Sequence, residues 1–494
     1  PAGAFFDADS GIYVPGNHDN YNQRGSEWER LIHFEFFEAG GGLAFAQDMG
    51  VRIHGGTSRT RPRKSLRLYA RSDYGKSWVE YPLFPDKNIG EYKRFLLRNS
   101  GNDWDGAIFR DAFMQSLLAG TPLDRQYSRP VVVYLNGEYW GVHNLRDRLD
   151  ERYIETHFGL EEEEFTMLEN NGVFNRGNEA GADHYQQMLS YLEDHSMSDP
   201  AHFSELQRRM DTDNFIQYQI SHIYFANTDW PGNNIDFWRA LTDDYIPSAP
   251  YGLDGRWRWM VFDTDFGFGL NFPYVTGVEQ GPAHNTLAFA MNPSGPAWPN
   301  PPWSTFILRR LLENESFRYD FINTFMDMLN MHFHEERVMA RLDDFRQQYL
   351  PEMSEHIHRW IRPPGLEAWE QELAVMEQYA QQRPAYLRQY LAGAFGLGET
   401  ALLKLKLAQP GSGSIRLNIS MLNDLDQQWQ GLYFRDMPIR LEAVPAPGYR
   451  FSFWEGLPAA TPSQTVISLS ADQSLSLHME DGMMHYWHFN DLAD

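Results

Sequence analysis

Asn227-Thr228-Asp229-Trp230-Pro231-Gly232-Asn233-Asn234, followed by two short strand-like runs and then Asp263-Thr264-Asp265-Phe266-Gly267-Phe268-Gly269, is the stretch around which the chain is organised. It sets carboxylates and carboxamides on two loops. Before it, Asp213 to Ala226 carries Phe215, Ile216, Ile220, Ile223 and Tyr224 at three- and four-residue spacing, the period of an amphipathic helix, and Pro231-Gly232 lies beyond its end. Asp229 therefore sits on a loop leaving a helix. After it, Ile235 and Phe237, then Trp257, Trp259 and Val261, alternate with more polar neighbours as strands do. The Pro-, Asp- and Gly-rich segment between them lets the pair turn into a hairpin, which returns the second acidic loop to the first.

The chemistry that uses such an arrangement is phosphoryl transfer. One Asp orients or deprotonates an attacking hydroxyl, while an Asn five residues later and a further Asp hold divalent metal on a triphosphate, the logic of Asp-x-x-x-x-Asn followed by Asp-Phe-Gly. Asp229 and Asn234 have that spacing, and Asp265-Phe266-Gly267 is a literal Asp-Phe-Gly. Each half alone occurs by chance; their order makes the pair specific. The plain alternative is that Asp229 and Asn234 turn the backbone and that Asp263 and Asp265 end a strand, as these residue types often do.

The chain has 494 residues, more than one core usually spans, so two or three domains are expected. With 42% hydrophobic and 22% charged residues it reads as folded, and no apolar run is long enough for a membrane. Lys and Arg number 42 against 67 Asp and Glu, a formal charge of -25 that argues against broad nucleic-acid binding, because most of the surface would repel a phosphate backbone. A small anion can still find a local basic pocket. Cysteine is absent, which excludes disulfides, thiolate metal sites and cysteine nucleophiles. The opening Pro1-Ala2-Gly3-Ala4-Phe5-Phe6 is compatible with a trimmed precursor.

From Phe5 to Asn144 the signals are those of a mostly antiparallel sheet. His33 to Phe37, Val51 to His54, Ser65 to Tyr69, Phe95 to Arg98 and Val131 to Leu135 are short β-branched or aromatic runs bounded by Gly, Asn, Asp or Pro. One helix is expected here, Asp105 to Ala119, ended by Gly120. Arg52 to Arg71 holds seven basic residues (Arg52, Arg59, Arg61, Arg63, Lys64, Arg67, Arg71) and no acid, the sharpest anomaly in so acidic a chain. With Gly55-Gly56 supplying a flexible turn, it reads as a phosphate-gripping loop with Lys64 on a nucleotide, as a solvated basic hairpin, or as a patch that pairs with acidic regions such as Glu161 to Glu164. Asn136-Gly137 marks a hairpin, and Val142 to Leu145 reads as a connector between lobes.

Tyr153 to Ala226 reads as helical, with Tyr185, Met188, Leu189 and Leu192 on one stripe. Asn271 to Trp303 is a Pro-, Gly- and Asn-rich loop of the kind that serves as lid or substrate platform. Several helices follow from Ser304 to Leu397. His332-x-His334 and His356-x-His358 invite a metal reading, but residues two apart on a helix point to nearly opposite faces, so both pairs read as surface or packing histidines. From Ala401 to Asp494 the pattern changes to short alternating strands, a separate all-β module.

Six motifs in order resemble the spore-coat CotH kinase-like family, over roughly Glu35 to Gly269. They are His54-Gly55-Gly56-Thr57-Ser58-Arg59 with Lys64-Ser65-Leu66-Arg67, Leu97-Arg98-Asn99-Ser100-Gly101-Asn102-Asp103-Trp104, Phe109-Arg110-Asp111-Ala112, Tyr134-Leu135-Asn136-Gly137-Glu138-Tyr139-Trp140-Gly141, Asn227-Thr228-Asp229-Trp230 with Asn234, and Phe262-Asp263-Thr264-Asp265. The resemblance implies an α+β, diverged protein-kinase-like two-lobe fold, followed by a helical segment and the C-terminal all-β module. The expected divisions are 1–145 for a β-rich lobe with one helix, 146–400 for a mainly helical lobe carrying the catalytic and metal loops, and 401–494 for the module. It implies an atypical protein kinase using ATP and Mg2+ or Mn2+ on a protein substrate. Asp229 is then the catalytic Asp, Asn234 with Asp263 or Asp265 the metal ligands, and Lys64, Arg98 and Arg110 the nucleotide contacts.

Three features depart from ordinary kinases: Gly-x-Gly-x-x-Gly is missing, Thr228 stands where Arg precedes the catalytic Asp, and no Glu lies between Tyr92 and Gly137 to pair with a lysine. Asp103, Asp105 or Asp111 would substitute for that Glu. The terminal module resembles a bacterial surface-protein repeat with a Gly-Tyr-x-Phe-x-x-Trp signature, here Gly448, Tyr449, Phe451 and Trp454, which implies secretion or surface display. Three other functions fit parts of the pattern. Asp263-Thr264-Asp265 matches the Asp-x-Asp of metal-dependent glycosyltransferases, although these need a preceding parallel sheet; a catalytically inactive surface or adhesion protein, or a nucleotidyltransferase, is the remaining alternative.

Overall fold

The computed structural model describes residues 20–270, 281–423, 425 and 427–482. The opening residues and part of the loop expected as a lid lie outside that range. The chain divides into two compact units, one drawn from Pro1–Arg310 and Glu335–Tyr386, the other from Leu311–His334 and Leu387–Asp494.

In the first unit the chain runs through β1 (Arg30–Phe37), β2 (Leu43–His54), β3 (Ser65–Tyr69), β4 (Arg94–Arg98), α1 (Arg110–Ser116), β5 (Asp124–Arg125), β6 (Ser128–Leu135) and β7 (Glu138–Arg146). Six of these strands form one antiparallel sheet in the order β1-β2-β3-β4-β7-β6. Alternation decides what faces where: along β3, Leu68 enters a core with Met49, Phe95 and Leu145, while Arg67 lines the cleft described below. The β6–β7 turn is the Asn136-Gly137 pair, with φ of 52° and 81° as a tight hairpin needs. Val142 to Leu145, expected as a connector, instead lie inside β7, flanked by β4 and β6, because the hairpin strand continues through Gly141.

The helix expected from Asp105 to Ala119 is shorter, Arg110–Ser116. Ahead of it Ile108 has a φ of 63°, which no helix contains, and the Asp103 carboxylate takes the backbone N–H groups of Ala107 (3.0 Å) and Arg110 (2.9 Å). Those donors are satisfied by a carboxylate, so the apolar residues Ala107 to Phe109 are buried as a turn rather than a helical face.

The rest of the first unit contains α2 (Glu151–Phe158), β8 (Phe165–Glu169), β9 (Val173–Gly177), α3 (Ala182–Asp194), α4 (Pro200–Leu206), α5 (Thr212–Phe225), β10 (Asp236–Ala240) and β11 (Arg258–Val261). The β8–β9 hairpin corrects the helical reading of Tyr153 to Ala226: Asn170 and Gly172 adopt positive φ at its turn, and β8 pairs with β10. A second sheet results, in the order β5-β11-β10-β8-β9. The expected strands around Phe237 and Trp259 are β10 and β11, antiparallel with Phe237 opposite Trp259. α5 is capped by Asp211, which accepts from the Asn214 N–H at 3.1 Å, and thirteen of its fourteen residues are buried. Its position is fixed by packing on every side, with Phe215 on Trp259 and Tyr224 on Tyr379.

Further helices are α6 (Thr286–Ala290), α7 (Phe306–Leu311), α8 (Glu315–Asn330), α9 (Glu335–Trp360) and α10 (Leu366–Phe395). His356 on α9 is buried and accepts from the Val142 N–H at 3.0 Å, a packing histidine.

In the second unit α8 accompanies eight strands, β12 (Thr400–Leu407), β13 (Gly413–Leu417), β14 (Ser420–Leu422), β15 (Trp429–Phe434), β16 (Pro438–Pro445), β17 (Tyr449–Glu455), β18 (Gln464–Ser468) and β19 (Gln473–Asp481). They form two four-stranded sheets, β15-β12-β19-β17 and β14-β13-β16-β18. Of the Gly-Tyr-x-Phe-x-x-Trp signature, Gly448 makes the turn into β17 with a φ of 88°, and Trp454 is buried, its indole N–H on the Pro462 carbonyl. The fold is therefore mixed α+β, with a helical segment between β-rich ends.

Candidate active site

At the end of α5, Ala226 turns into the left-handed region (φ 49°) and breaks the helix. The two acidic loops are then joined through their backbones. Thr228 donates its N–H and hydroxyl to the Phe266 carbonyl at 3.0 and 3.1 Å, and Phe268 donates its N–H to the Phe225 carbonyl at 2.7 Å. Gly267 is required by this approach, because a Cβ there would run into the Phe225 carbonyl oxygen. Trp230 anchors the first loop: it is fully buried, stacks on His222 and donates to the Tyr218 hydroxyl at 3.2 Å.

Asp229 is held between two amides. Asn233 donates to one carboxylate oxygen at 2.8 Å and Asn234 to the other at 2.9 Å, while the Asp229 N–H is tied to Asn227 Oδ1 at 3.1 Å. Asn234 reaches Asp229 from a left-handed backbone (φ 53°), a conformation Asn tolerates better than most residues. Burial pushes the Asp229 carboxyl up to about 7; hydrogen bonds from Asn233, Asn234 and Trp298 oppose that rise and the nearby Asp263 charge adds to it. A carboxyl poised there suits proton acceptance near neutral pH.

The second loop is organised by one guanidinium. Arg98, at the end of β4, places Nη2 on Asp263 Oδ1 and on Asp265 Oδ2 (2.8 Å), and Nη1 on Asp111 Oδ2 (3.1 Å). Asp265 also accepts the Asn102 backbone N–H and side-chain amide, each at 3.0 Å. Gly101 makes room for this contact; a Cβ on it would overlap the Asp265 carboxylate. Burial and the Asp263 charge push the Asp265 carboxyl up, against the pull of Arg98. Burial would also raise Asp111, but the charges of Arg146 and Arg98 outweigh it and hold that carboxyl well below the usual range. Of the three acids named as substitutes for the kinase Glu, Asp111 is the one that meets a basic residue of the sheet lining the cleft.

The two acidic loops and Arg98 line one cleft of about 1150 Å³. Asp229, Asn234, Asp263 and Asp265 stand in its wall, and Arg52, Arg59, Arg61 and Arg67 from the basic run stand there as well. The run is thus divided by its backbone. Arg52 and Arg71 pair with Glu29 at 2.6 and 2.7 Å, which is the acid that neutralises part of the run. Arg67 bonds His54 Nδ1 at 2.6 Å and Arg61 lies over the Trp104 ring at 5.3 Å; among the described residues neither has a carboxylate partner. Burial, then the Arg67 charge, keeps His54 neutral, well below its ordinary pKa, so the imidazole does not add to the positive charge.

Two residues expected to touch a nucleotide are not brought to the cleft. Lys64 is buried with its ammonium on the Arg59 carbonyl and 4.2 Å from the Tyr21 ring centroid. Arg110 is fully buried, bonded to Asp103 (3.2 Å), the Phe268 carbonyl (2.5 Å) and Glu372 (2.7 Å). Both are consumed by protein acceptors just before β3 and at the start of α1. Arg98 does line the cleft, though its terminal nitrogens are engaged by carboxylates. Asn102, Asn233 and Trp298 belong to the site as well; Asn102 and Asn233 lay within quoted stretches without a role of their own, and Trp298 lay in the loop read as a lid.

For a divalent cation the acceptor inventory is favourable. Among the described residues no hydrogen bond reaches Asp263 Oδ2 or Asn234 Oδ1, and Asp265 Oδ1 receives only the Asn102 amide. These are hard oxygen donors of the kind Mg2+ and Mn2+ take with water and phosphate completing the shell. Among the described residues no group of three or more His, Asp or Glu side chains could hold a metal, so a cation held here would need an amide oxygen as well.

No curated protein matches the chain. A protein-family model described as CotH kinase protein matches residues 51–387, a span that includes β3, the basic run, α1 and both loops of the cleft and covers more than half of the sequence. The chain belongs to the CotH kinase family.

Proposed function

We propose that this chain transfers the γ-phosphoryl group of ATP to a hydroxyl on a protein substrate in a secreted or cell-surface setting. The observation that carries the reading is the joining of the Asp229–Asn234 loop to the Asp263-Thr264-Asp265 loop in one arginine-lined cleft. Arg61 and Arg67 have no carboxylate partner among the described residues and, unlike Arg59, are not tied to backbone carbonyls, which makes them the receptors for phosphate oxygens. Asn234, Asp263 and Asp265 would hold Mg2+ or Mn2+, which when bound supplies charge neutralisation on the transferring group. Asp229, its two oxygens fixed by Asn233 and Asn234, orients the acceptor hydroxyl and takes its proton as the new O–P bond forms and the bond to ADP breaks. No helix among the described residues is long and apolar enough to cross a membrane, and the setting is proposed from the terminal module's Gly448-Tyr449-x-Phe451-x-x-Trp454 signature alone.

The test is transfer of labelled γ-phosphate to the chain itself and to secreted proteins from the same source, with Asp229→Ala as control. Transfer that survives in a folded Asp229→Ala variant removes Asp229 from the reaction. A second reading, an inactive scaffold, draws on Arg98 already bridging Asp263 and Asp265. It predicts that ATP with magnesium leaves the melting temperature unchanged.

A further inference from the structure

Asp111 does not itself stand in the cleft wall, yet it accepts more hydrogen bonds than any other carboxylate described above. Oδ1 takes the Thr264 N–H and hydroxyl, both at 2.8 Å, and the Gln115 amide at 2.9 Å; Oδ2 takes Arg146 at 2.6 Å and Arg98 at 3.1 Å. Thr264 is fully buried and lies between Asp263 and Asp265, where the backbone enters the left-handed region at Asp263 (φ 50°). The other end of Arg98 grips both of those acids. One carboxylate on α1 therefore fixes the backbone between the two acids and, through Arg98, their side chains. A second contact from the same helix, Phe113 on Phe268 with centroids 5.1 Å apart, holds the far end of the loop.

We infer that Asp111 is the positioning residue of the metal loop: by holding Thr264 and Arg98 it sets the separation and aim of Asp263 and Asp265, without itself touching metal or nucleotide. The inference rests on the phosphoryl-transfer reading of the cleft. A bond that only braced α1 would need neither Thr264 donor, since Arg146 and Gln115 already attach Asp111 to β7 and to its own helix. Groups that orient metal ligands typically change metal affinity by about 10- to 100-fold when removed.

The experiment measures Mn2+ affinity by calorimetry, alone and with a non-hydrolysable ATP analogue, alongside melting temperature, for the full chain and for Asp111→Asn, Thr264→Val and Thr264→Ser. Thr264→Val keeps the backbone donor and leaves Asp111 Oδ1 still accepting two hydrogen bonds, so no buried acceptor is orphaned and the fold is retained even where Asp111→Asn fails. Expected are a loss of Mn2+ affinity of about tenfold in Thr264→Val and more in Asp111→Asn, with Thr264→Ser within about twofold of the parent. Folded Thr264→Val with parental Mn2+ affinity overturns the inference, as does a lowered melting temperature with unchanged affinity. A parent chain that takes up no Mn2+ even with the analogue overturns the metal reading of the cleft and this inference with it. Parental binding with insensitive variants overturns the inference alone.

Discussion

Asn234 donates its side-chain amide to the Asp229 carboxylate at 2.9 Å, so the proposed base and the amide proposed to face the cation form a single unit. The contact aims the remaining lone pairs of Asp229 while leaving Asn234 Oδ1 for another partner. Positioning of this kind acts on the transition state more than on ground-state nucleotide binding.

Asp229→Ala is accordingly expected to lower phosphoryl transfer by about 10²- to 10⁴-fold, the usual range for a general base, with ATP affinity nearly unchanged. Kinetics and calorimetry on the same preparation check it. If affinity and melting temperature fall in step with turnover, Asp229 is bracing its loop rather than serving the reaction.

Much of this site was legible because its two loops follow strong periodic signals. The spacing of Phe215, Ile216, Ile220 and Ile223 located α5, and alternation at Phe237 and Trp259 located β10 and β11, which together return Asp263 to Asp229. The β8–β9 hairpin was hidden because Thr166-Met167-Leu168 is too short to separate strand from helix by period, leaving Asn171-Gly172 as its one clear turn signal. The fates of Lys64 and Arg67 were equally hidden. Charge composition counts both as basic, whereas the backbone sends one ammonium to a buried carbonyl and the other cation to the cleft.

That division gives a paired prediction. Arg67→Met removes a charged donor without a carboxylate partner from the cleft wall and should weaken ATP binding by about 10- to 100-fold, the value of one or two charge-assisted hydrogen bonds. Lys64→Met, by contrast, should lower the melting temperature while the folded fraction binds ATP normally. Thermal melts and ATP titrations separate the two, and the opposite pattern would return Lys64 to the nucleotide.

Arg98→Met should destabilise the first unit by about 3 to 5 kcal/mol, because the buried acids Asp111 and Asp265 lose a cation. Arg98 also aims Asp263 and Asp265, so magnesium should raise the melting temperature of the variant less than that of the parent. A larger shift in the variant would mean that the guanidinium occupies the cation's place rather than aiming its ligands.

In the second unit the Asp327 carboxylate on α8 is fully buried, accepting from the Tyr433 hydroxyl at 2.6 Å and from the Asn418 amide at 2.9 Å. Burial pushes this carboxyl up to about 7, against those two hydrogen bonds. Because an unfolded Asp titrates near 3.9, the folded unit holds more protons than the unfolded one between about pH 4 and pH 7, and its stability falls as pH rises through that window. The loss amounts to roughly 3 to 4 kcal/mol and is complete above the folded pKa. Asp327→Asn keeps one oxygen for Tyr433 and Asn418 but turns an amide toward the Asn418 amide, a cost of about 1 kcal/mol at every pH. The diagnostic is therefore the slope: amide exchange in Pro438–Pro445 should accelerate from pH 4 to pH 8 by more than base catalysis explains in the parent, and by base catalysis alone in Asp327→Asn. Identical slopes would show that Asp327 does not change its protonation on unfolding in that range.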